Sequence, residues 1–246
     1  MNWQDRTELL LGPQRHSLIT SANVLVVGLG GVGAYAAEML VRAGVGKLTI
    51  VDGDVVEPTN RNRQLPALVS TTAMSKCDVL RERFLDINPD VTLNALNLYL
   101  RDERTRDLLD QEPFDCVVDC IDTLAPKVFL IYHARQRGLR VVSSMGAGGK
   151  MDPTQIKITD LSKSYNCKLA RMVRKRLHRL GIRKGVSAVF SPEEVPESAV
   201  RLESGVNKNS TVGTISYMPA AFGCAVAAAV IREIMEKAPS DSPTTP

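Results

Sequence analysis

Apolar runs of four to eight residues recur along the first 145 positions, each followed by a longer stretch with helical spacing. The runs at 24–27 (VLVV), 47–51 (KLTIV), 91–98, 114–120 (FDCVVDC) and 139–143 read as strands. Their near-continuous hydrophobicity fits a parallel sheet covered by helices on both faces, where a strand has no polar side to show. Helices are expected from the glycine-rich turn after 27 to Gly44, over 71–88, over 102–110 and over 124–137. Thr71 or Thr72 is the expected cap of the second, Asn88-Pro89 its stop, and Gly138 stops the last. A short helical prelude fills 1–20, with Trp3, Leu9, Leu10 and Leu11 as its apolar side. Strands alternating with helices predict an α/β fold with a doubly wound, mainly parallel Rossmann-like sheet.

The pattern changes after residue 145. Residues 146–150 (GAGGK) form a flexible loop at a strand end, and strands are expected at 155–159 and 186–190. Between them Leu169, Met172, Val173, Leu177 and Leu180 form an apolar helical stripe, with Gly181 as the stop. Residues 191–210 are polar and irregular, and 215–237 form a small-residue apolar helix with Pro219 near its start. The expected organisation is a core over 1–150 that includes the N-terminal helix. A smaller basic extension over 151–238 completes the same domain, and 239–246 form a disordered tail.

The chemistry begins at the first strand. Gly28, Gly30 and Gly33 make a G-x-G-x-x-G set, with Gly31 inside the same turn. Gly28 permits the tight turn, Gly30 lets backbone approach a phosphate, and Gly33 lets the helix pack close to the sheet. The free N–H groups of the helix start face an anion. Asp52 falls 19 residues after Gly33, where a ribose-binding carboxylate belongs, and Asp54 follows it. This unit marks a nucleotide site without naming the nucleotide.

Composition narrows the classes. The chain has 246 residues and 44% hydrophobic content, which suits one large α/β domain. The N-terminal MNWQDRTELLLG lacks the basic-then-apolar order of a signal peptide, and no apolar run approaches 18 residues without a charge. The reading is a cytoplasmic protein with no membrane partner. Cys77, Cys116, Cys120, Cys167 and Cys224 form no C-x-x-C pair, which argues against structural zinc. Cys116 and Cys120 flank a buried strand and read as core.

Charge is uneven. Nine Lys or Arg and no acid lie between 163 and 184, leaving −5 on the rest of a chain whose net charge is +4. Lys168, Arg171, Arg174, Lys175 and Arg179 fall mostly off the apolar stripe. A solvated helix face is the plain alternative, but such a face usually mixes signs, and a cation row points to a polyanion. Elsewhere, Arg61 and Arg63 lie in the polar loop at 52–64, and Asp122 follows the fourth strand at the same sheet edge as the glycine turn. Lys76 in the first turn of its helix opposes the dipole, which a nearby anion would explain; a surface lysine is the alternative. Arg6 by itself reads as a solvated charge.

GLGGVG, VDGD, NRNRQ, the helix-borne Lys76 and DCID, in that order, resemble the ubiquitin-activating-type adenylating enzymes. These include the bacterial sulfur-carrier activators of molybdopterin and thiamine synthesis. The resemblance covers about the first 150 residues. It implies that Asp52 holds ribose, that Arg63 and Lys76 contact phosphates, that Asp122 ligates Mg²⁺ and that Asn60 supports the phosphate loop. It also implies a homodimer in which Arg6 serves the partner's site. The second part departs from the sulfur-carrier activators: both zinc pairs are missing, and so is a clear thioester cysteine, Cys167 being the one candidate.

GAGGKMDPTQIKITDL, the basic helix, VFSPEEV and the last helix instead resemble the tRNA threonylcarbamoyladenosine dehydratases, over nearly the whole chain. Where one such enzyme carries a cysteine, this chain has Lys208. That resemblance implies ATP and Mg²⁺, a modified tRNA as substrate, the basic helix as tRNA contact, and adenylation of the threonine carboxylate. It leaves open any sulfur-transfer or redox partner. The alternatives are a sulfur-carrier adenylyltransferase, a nicotinamide dehydrogenase, and a tRNA-binding module without catalysis.

Overall fold

The structure, a computed structural model, describes residues 2–202 and 210–236; Lys208 and the expected tail lie outside them. One sheet contains β1 (Asn23–Val27), β2 (Lys47–Val51), β3 (Thr92–Leu96), β4 (Cys116–Asp119), β5 (Arg140–Ser144), β6 (Lys157–Asp160) and β7 (Ser187–Phe190). The spatial order is β3-β2-β1-β4-β5-β7-β6. All neighbours are parallel except β6, which closes the edge antiparallel to β7. The chain runs outward from β1 through β2 and β3, then returns to β4 on the other side of β1. Such a reversal opens a crevice at the carboxyl ends of the central strands.

The helices are α1 (Asp5–Leu11), α2 (Pro13–Thr20), α3 (Gly33–Arg42), α4 (Lys76–Ile87), α5 (Asp102–Asp110), α6 (Leu124–Gln136), α7 (Lys168–Arg179) and α8 (Tyr217–Met235). Alternation along β1 divides the core in two. Val24 and Val26 join residues of α3, α4 and α8, whereas Leu25 and Val27 join residues of α5, α6 and α7. Every β1 residue is buried, so after Asn23 the strand is continuously apolar instead of alternating. The doubly wound sheet expected from the sequence is present, and the basic region contributes β6 and β7 to it.

Several local expectations change. The prelude is two helices, because Gly12 adopts φ +78 and Pro13 starts α2. Leu9 is 89% exposed, and Trp3 and Leu10 are also exposed, so they are not a packed apolar side. α4 starts at Lys76 and is capped by Ser75, whose Oγ accepts from Asp78 N. Thr71 is diverted: its hydroxyl donates to Pro66 O and accepts from Leu68 N, and Ala73 turns left-handed at φ 68. Met172 and Leu180 of the apolar stripe are exposed, and Ala170 packs with Val173 and Leu177. In and just after the segment expected to be irregular, β8 (Val200–Leu202) and β9 (Ser210–Val212) pair antiparallel. Against the expectation that no apolar run approaches 18 residues without a charge, residues 215–231 carry none, and α8 is long and apolar enough by composition to cross a membrane. Met218, Phe222, Val226, Val230 and Ile234 of this helix are buried in the core shared with α3.

Candidate active site at the carboxyl edge of the sheet

The glycine turn leaves β1 with Gly28 at φ +89, its N–H donating to Val51 O. A Cβ on Gly28 would stand 2.8 Å from Cys120 O, and one on Gly33 would stand 1.8 Å from Gly28 O. Both positions therefore admit only glycine, one for the turn and one for close helix packing. A Cβ on Gly30 would meet only Gln64 Nε2, at 3.9 Å, so the turn is open there and leaves room for a ligand.

Asp52 accepts from Leu29 N at 2.6 Å and from Asp54 N at 2.8 Å. It thus ties the end of β2 to the glycine turn. Burial pushes its carboxyl up, against the pull of Lys76 and the two N–H groups. Lys76 is only 4% exposed, so it is no surface lysine; its Nζ lies 2.8 Å from Asp54 Oδ2. This partner offsets the unfavourable dipole at the helix start. Tyr99 Oη donates to Asp54 Oδ1 at 2.7 Å, which pushes the phenol up to about 12, and its ring lies across Gly53.

The loop carrying Arg63 is built on Asn60. Buried Asn60 accepts from Glu57 N through Oδ1 at 3.1 Å, and its carbonyl accepts from Arg63 N and Gln64 N. Asn62 donates to Thr214 O at 3.0 Å, joining this loop to the segment before α8. Arg63 Nη1 donates to Thr59 O and to Asn62 Oδ1. The loop reaches the glycine turn, because a Cβ on Gly31 would lie 3.4 Å from Arg63 O. Arg61 is exposed and turned back on Pro58 O.

Asp122 is exposed in the turn between β4 and α6. Beneath it lies an ion pair that the sequence pattern did not lead us to expect. Asp119 and Lys127 are fully buried, with Nζ 2.8 Å from Oδ2. Ser143 Oγ donates to Asp119 at 2.6 Å. Burial pushes the Asp119 carboxyl up, while Lys127, Ser143 and the Ile121 N–H oppose that push. The signal available was a lone lysine in the otherwise apolar LAPKVFLI, following an aspartate at the end of a buried strand.

Arg6 is not brought to this edge. It is exposed on α1, in a groove with Leu10, Ala43, Ile231 and Met235. Ala43 closes α3, whose 10 residues span about 15 Å from the glycine turn at 1.5 Å per residue. Gly28, Gly30, Gly31, Gly33, Asp52, Asp54, Asn60, Arg63, Lys76 and Asp122 therefore gather without Arg6.

The GAGGK loop is pinned, not loose. Gly149 N donates to Gly213 O, and buried Lys150 donates through Nζ to Glu193 O. Glu193 also accepts from Met151 N and Ser191 Oγ. On α7, Lys168, Arg171, Lys175 and Arg179 are exposed. Arg174 is half-buried and donates to Leu161 O and to Ser164 O and Oγ. It staples the helix to the preceding turn.

Burial holds the thiols of Cys77, Cys116 and Cys120 up at about 12, so they are poor nucleophiles at neutral pH. Cys167 is half-exposed at the start of α7, and Cys224 is exposed on α8.

A profile of the ThiF family matches residues 5–245. The tRNA threonylcarbamoyladenosine dehydratase of Bacillus subtilis is 41% identical over 202 residues, covering 81% of this chain and 79% of that protein. The enzyme of that name from Escherichia coli is 34% identical over 257 residues, covering 96% of each. The crystal structure of the E. coli enzyme in complex with ATP superposes with a TM-score of 0.87 at 33% identity, covering 98% of each chain.

Proposed function

The chain belongs to the ThiF family, and on that footing we propose that it is an ATP-dependent dehydratase that cyclises threonylcarbamoyl-adenosine in tRNA. The observation that carries this reading is one crevice. A glycine turn, the Asp52 carboxylate, the buried Lys76 and the Arg63 loop meet there, in a chain similar over 98% of its length to an ATP-bound dehydratase.

The threonine carboxylate attacks the α-phosphorus of ATP, forming an acyl-adenylate and releasing pyrophosphate. The carbamoyl group beside it then attacks the acyl carbon and expels AMP, which carries away the carboxylate oxygen; the nucleoside has lost one water. Lys76 and Arg63 stabilise charge on the phosphates during the first step. The second step is intramolecular, and its high effective concentration removes the need for a protein nucleophile.

Mg²⁺ suits this edge. Among the described residues no cluster of three or more carboxylate, thiol or imidazole groups forms a closed metal cage. Mg²⁺ with nucleotides needs no such cage, being held by one or two carboxylates together with phosphates. Asp122 is the carboxylate that would hold it, and the ion would neutralise phosphate charge.

Arg6 sits too far from its own glycine turn to act there, which supports a homodimer in which it completes the partner's site. Mixing Arg6→Ala and Asp122→Ala proteins is expected to restore activity through one intact site per heterodimer. Heterodimers without activity overturn the role in trans. The exposed cations of α7 supply the tRNA contact, and a tRNA substrate supports a cytoplasmic location.

The decisive experiment incubates the protein with ATP, Mg²⁺ and threonylcarbamoylated tRNA. Expected are release of AMP and pyrophosphate and a nucleoside lighter by one water. Adenylation of a ubiquitin-like protein C-terminus with an unchanged nucleoside overturns the reading.

A further inference from the structure

We propose that the buried Asp119–Lys127 pair is a clamp that positions the Ile121–Asp122 peptide for metal-nucleotide binding. This rests on the reading of Asp122 as the Mg²⁺ ligand.

The two charges grip one residue from both sides. Asp119 Oδ1 accepts from Ile121 N at 3.1 Å, and Lys127 Nζ donates to Ile121 O at 2.9 Å. That carbonyl belongs to the peptide bond leading into Asp122. Ser143 Oγ donates to Asp119 Oδ2 and extends the clamp to the end of β5. The Cys120–Ile121 peptide is also the floor of the glycine turn, for a Cβ on Gly28 would lie 2.8 Å from Cys120 O and 3.1 Å from Ile121 N. A single network therefore sets the spacing between the phosphate-binding turn and the carboxylate opposite it.

Stability alone is a poor reason for this arrangement. Both side chains are fully buried, and replacing such a pair by apolar residues is often neutral or stabilising. Lys127 also lies in the first turns of α6, where its charge opposes the helix dipole. What the pair supplies is a fixed peptide orientation. Partners that orient a metal ligand are worth about 10–100-fold in metal affinity or activity. Lys127 and Asp119 are thus positioning residues, acting through Asp122.

The test is calorimetric binding of ATP to the full-length protein with Mg²⁺ and with EDTA, alongside thermal unfolding. Asp122→Ala is expected to abolish the gain in ATP affinity that Mg²⁺ provides. Lys127→Met is expected to cut that gain about 10-fold, with metal-free ATP affinity unchanged. In the Asp122→Ala background Lys127→Met is expected to add nothing. Equal losses with and without Mg²⁺, or additive losses in the double variant, overturn the clamp. A full Mg²⁺ gain in Asp122→Ala instead overturns the reading of Asp122. If Lys127→Met does not fold, Ser143→Ala decides: it removes one restraint and keeps the ion pair. Its Mg²⁺-specific gain is expected to fall by about threefold, less than the roughly 10–100-fold of losing a whole orienting partner, because the ion pair remains, and an unchanged gain overturns the clamp.

Discussion

Lys76 and Lys175 carry the same side chain in opposite circumstances. Lys76 is buried at the start of α4, held 2.8 Å from Asp54, whose other oxygen takes Tyr99. Lys175 is exposed on α7, inside a 22-residue stretch without an acid. A buried, tethered ammonium has one geometry, and its charge is little screened; that is what stabilising a phosphate in a transition state requires. An exposed ammonium on a flexible stem adapts to a phosphate wherever it lies, which suits positioning a long polyanion. On the proposed reading the carboxyl edge and the basic helix are two electrostatic devices, one preorganised and one adaptable, and they should fail differently.

The largest effect is expected at the preorganised edge. Lys76→Ala and Arg63→Ala should each slow adenylation by on the order of 10²–10³, the scale of losing one preorganised donor. ATP–pyrophosphate exchange measures it. The two are not alike for folding: Arg63 is half-exposed, but Lys76 is buried and paired with Asp54, so Lys76→Ala should also lower Tm. Normal exchange in either variant removes that residue from the chemistry.

The adaptable device should fail in affinity and salt dependence. Reversing Arg171, Lys175 and Arg179 to Glu leaves the Arg174 staple and the buried Ala170, Val173 and Leu177 intact. The apparent KM for tRNA should rise about 10-fold or more, and the log–log salt slope should flatten by roughly 0.7–0.9 for each phosphate that is no longer neutralised. ATP binding should not change. Equal tRNA affinity in variant and wild type would make α7 a solvated face.

The two regions also differ in how much of them is legible in the sequence. The apolar runs of β1, β2 and β4 announce a covered parallel sheet because burial on both faces leaves few polar positions, Asn23, Thr49 and Asp119 among them. Asp52 and the glycines are legible because the turn fixes their separation along the chain. Tyr99 meeting Asp54 and Lys127 meeting Asp119 are tertiary contacts, and no local spacing encodes them. The start of α4 is not at Thr71, as its residue type suggests, because that hydroxyl closes a turn on Pro66, which competes with capping. In α7 periodicity locates the helix, but it does not show that Met172 and Leu180 are left in solvent or that Arg174 turns inward.

A smaller effect is expected where α3 meets α4. Glu38 is buried and bonded to Arg83 at 2.6 Å and to Arg42 at 2.9 Å. Burial pushes its carboxyl up, but the two guanidiniums outweigh that and hold it below the ordinary range. A depressed carboxylate adds stability above its unfolded pKa of about 4.3, and the contribution is lost as pH falls through the lower folded value. Glu38→Gln should cost about 1–2 kcal/mol at pH 7, less than a fully buried pair because both arginines are half-exposed. The difference in Tm from wild type should shrink in acid below a pH of about 4.3. A difference that does not depend on pH would mean that packing, not charge, is being lost.

The smallest effect is expected at Cys167, and an unchanged rate there sharpens the contrast most. If adenylation is carried by pinned charges and cyclisation by the substrate's own carbamoyl group, no step needs a thiolate. Three of the five thiols are held at about 12 by burial, and Cys224 lies on the surface of α8. Cys167 is half-exposed beside the basic helix, in the region a tRNA would approach. Its thiol makes no capping hydrogen bond to α7, so Cys167→Ser should not disturb the helix. Adenylation and cyclisation should both stay within about twofold of wild type, since intramolecular attack already supplies the effective concentration that a covalent intermediate would otherwise provide. Retained pyrophosphate exchange with abolished cyclisation would instead make α7 part of the chemistry: the acyl group would then pass through a thioester on Cys167, and the division between a catalytic edge and a docking helix would no longer hold.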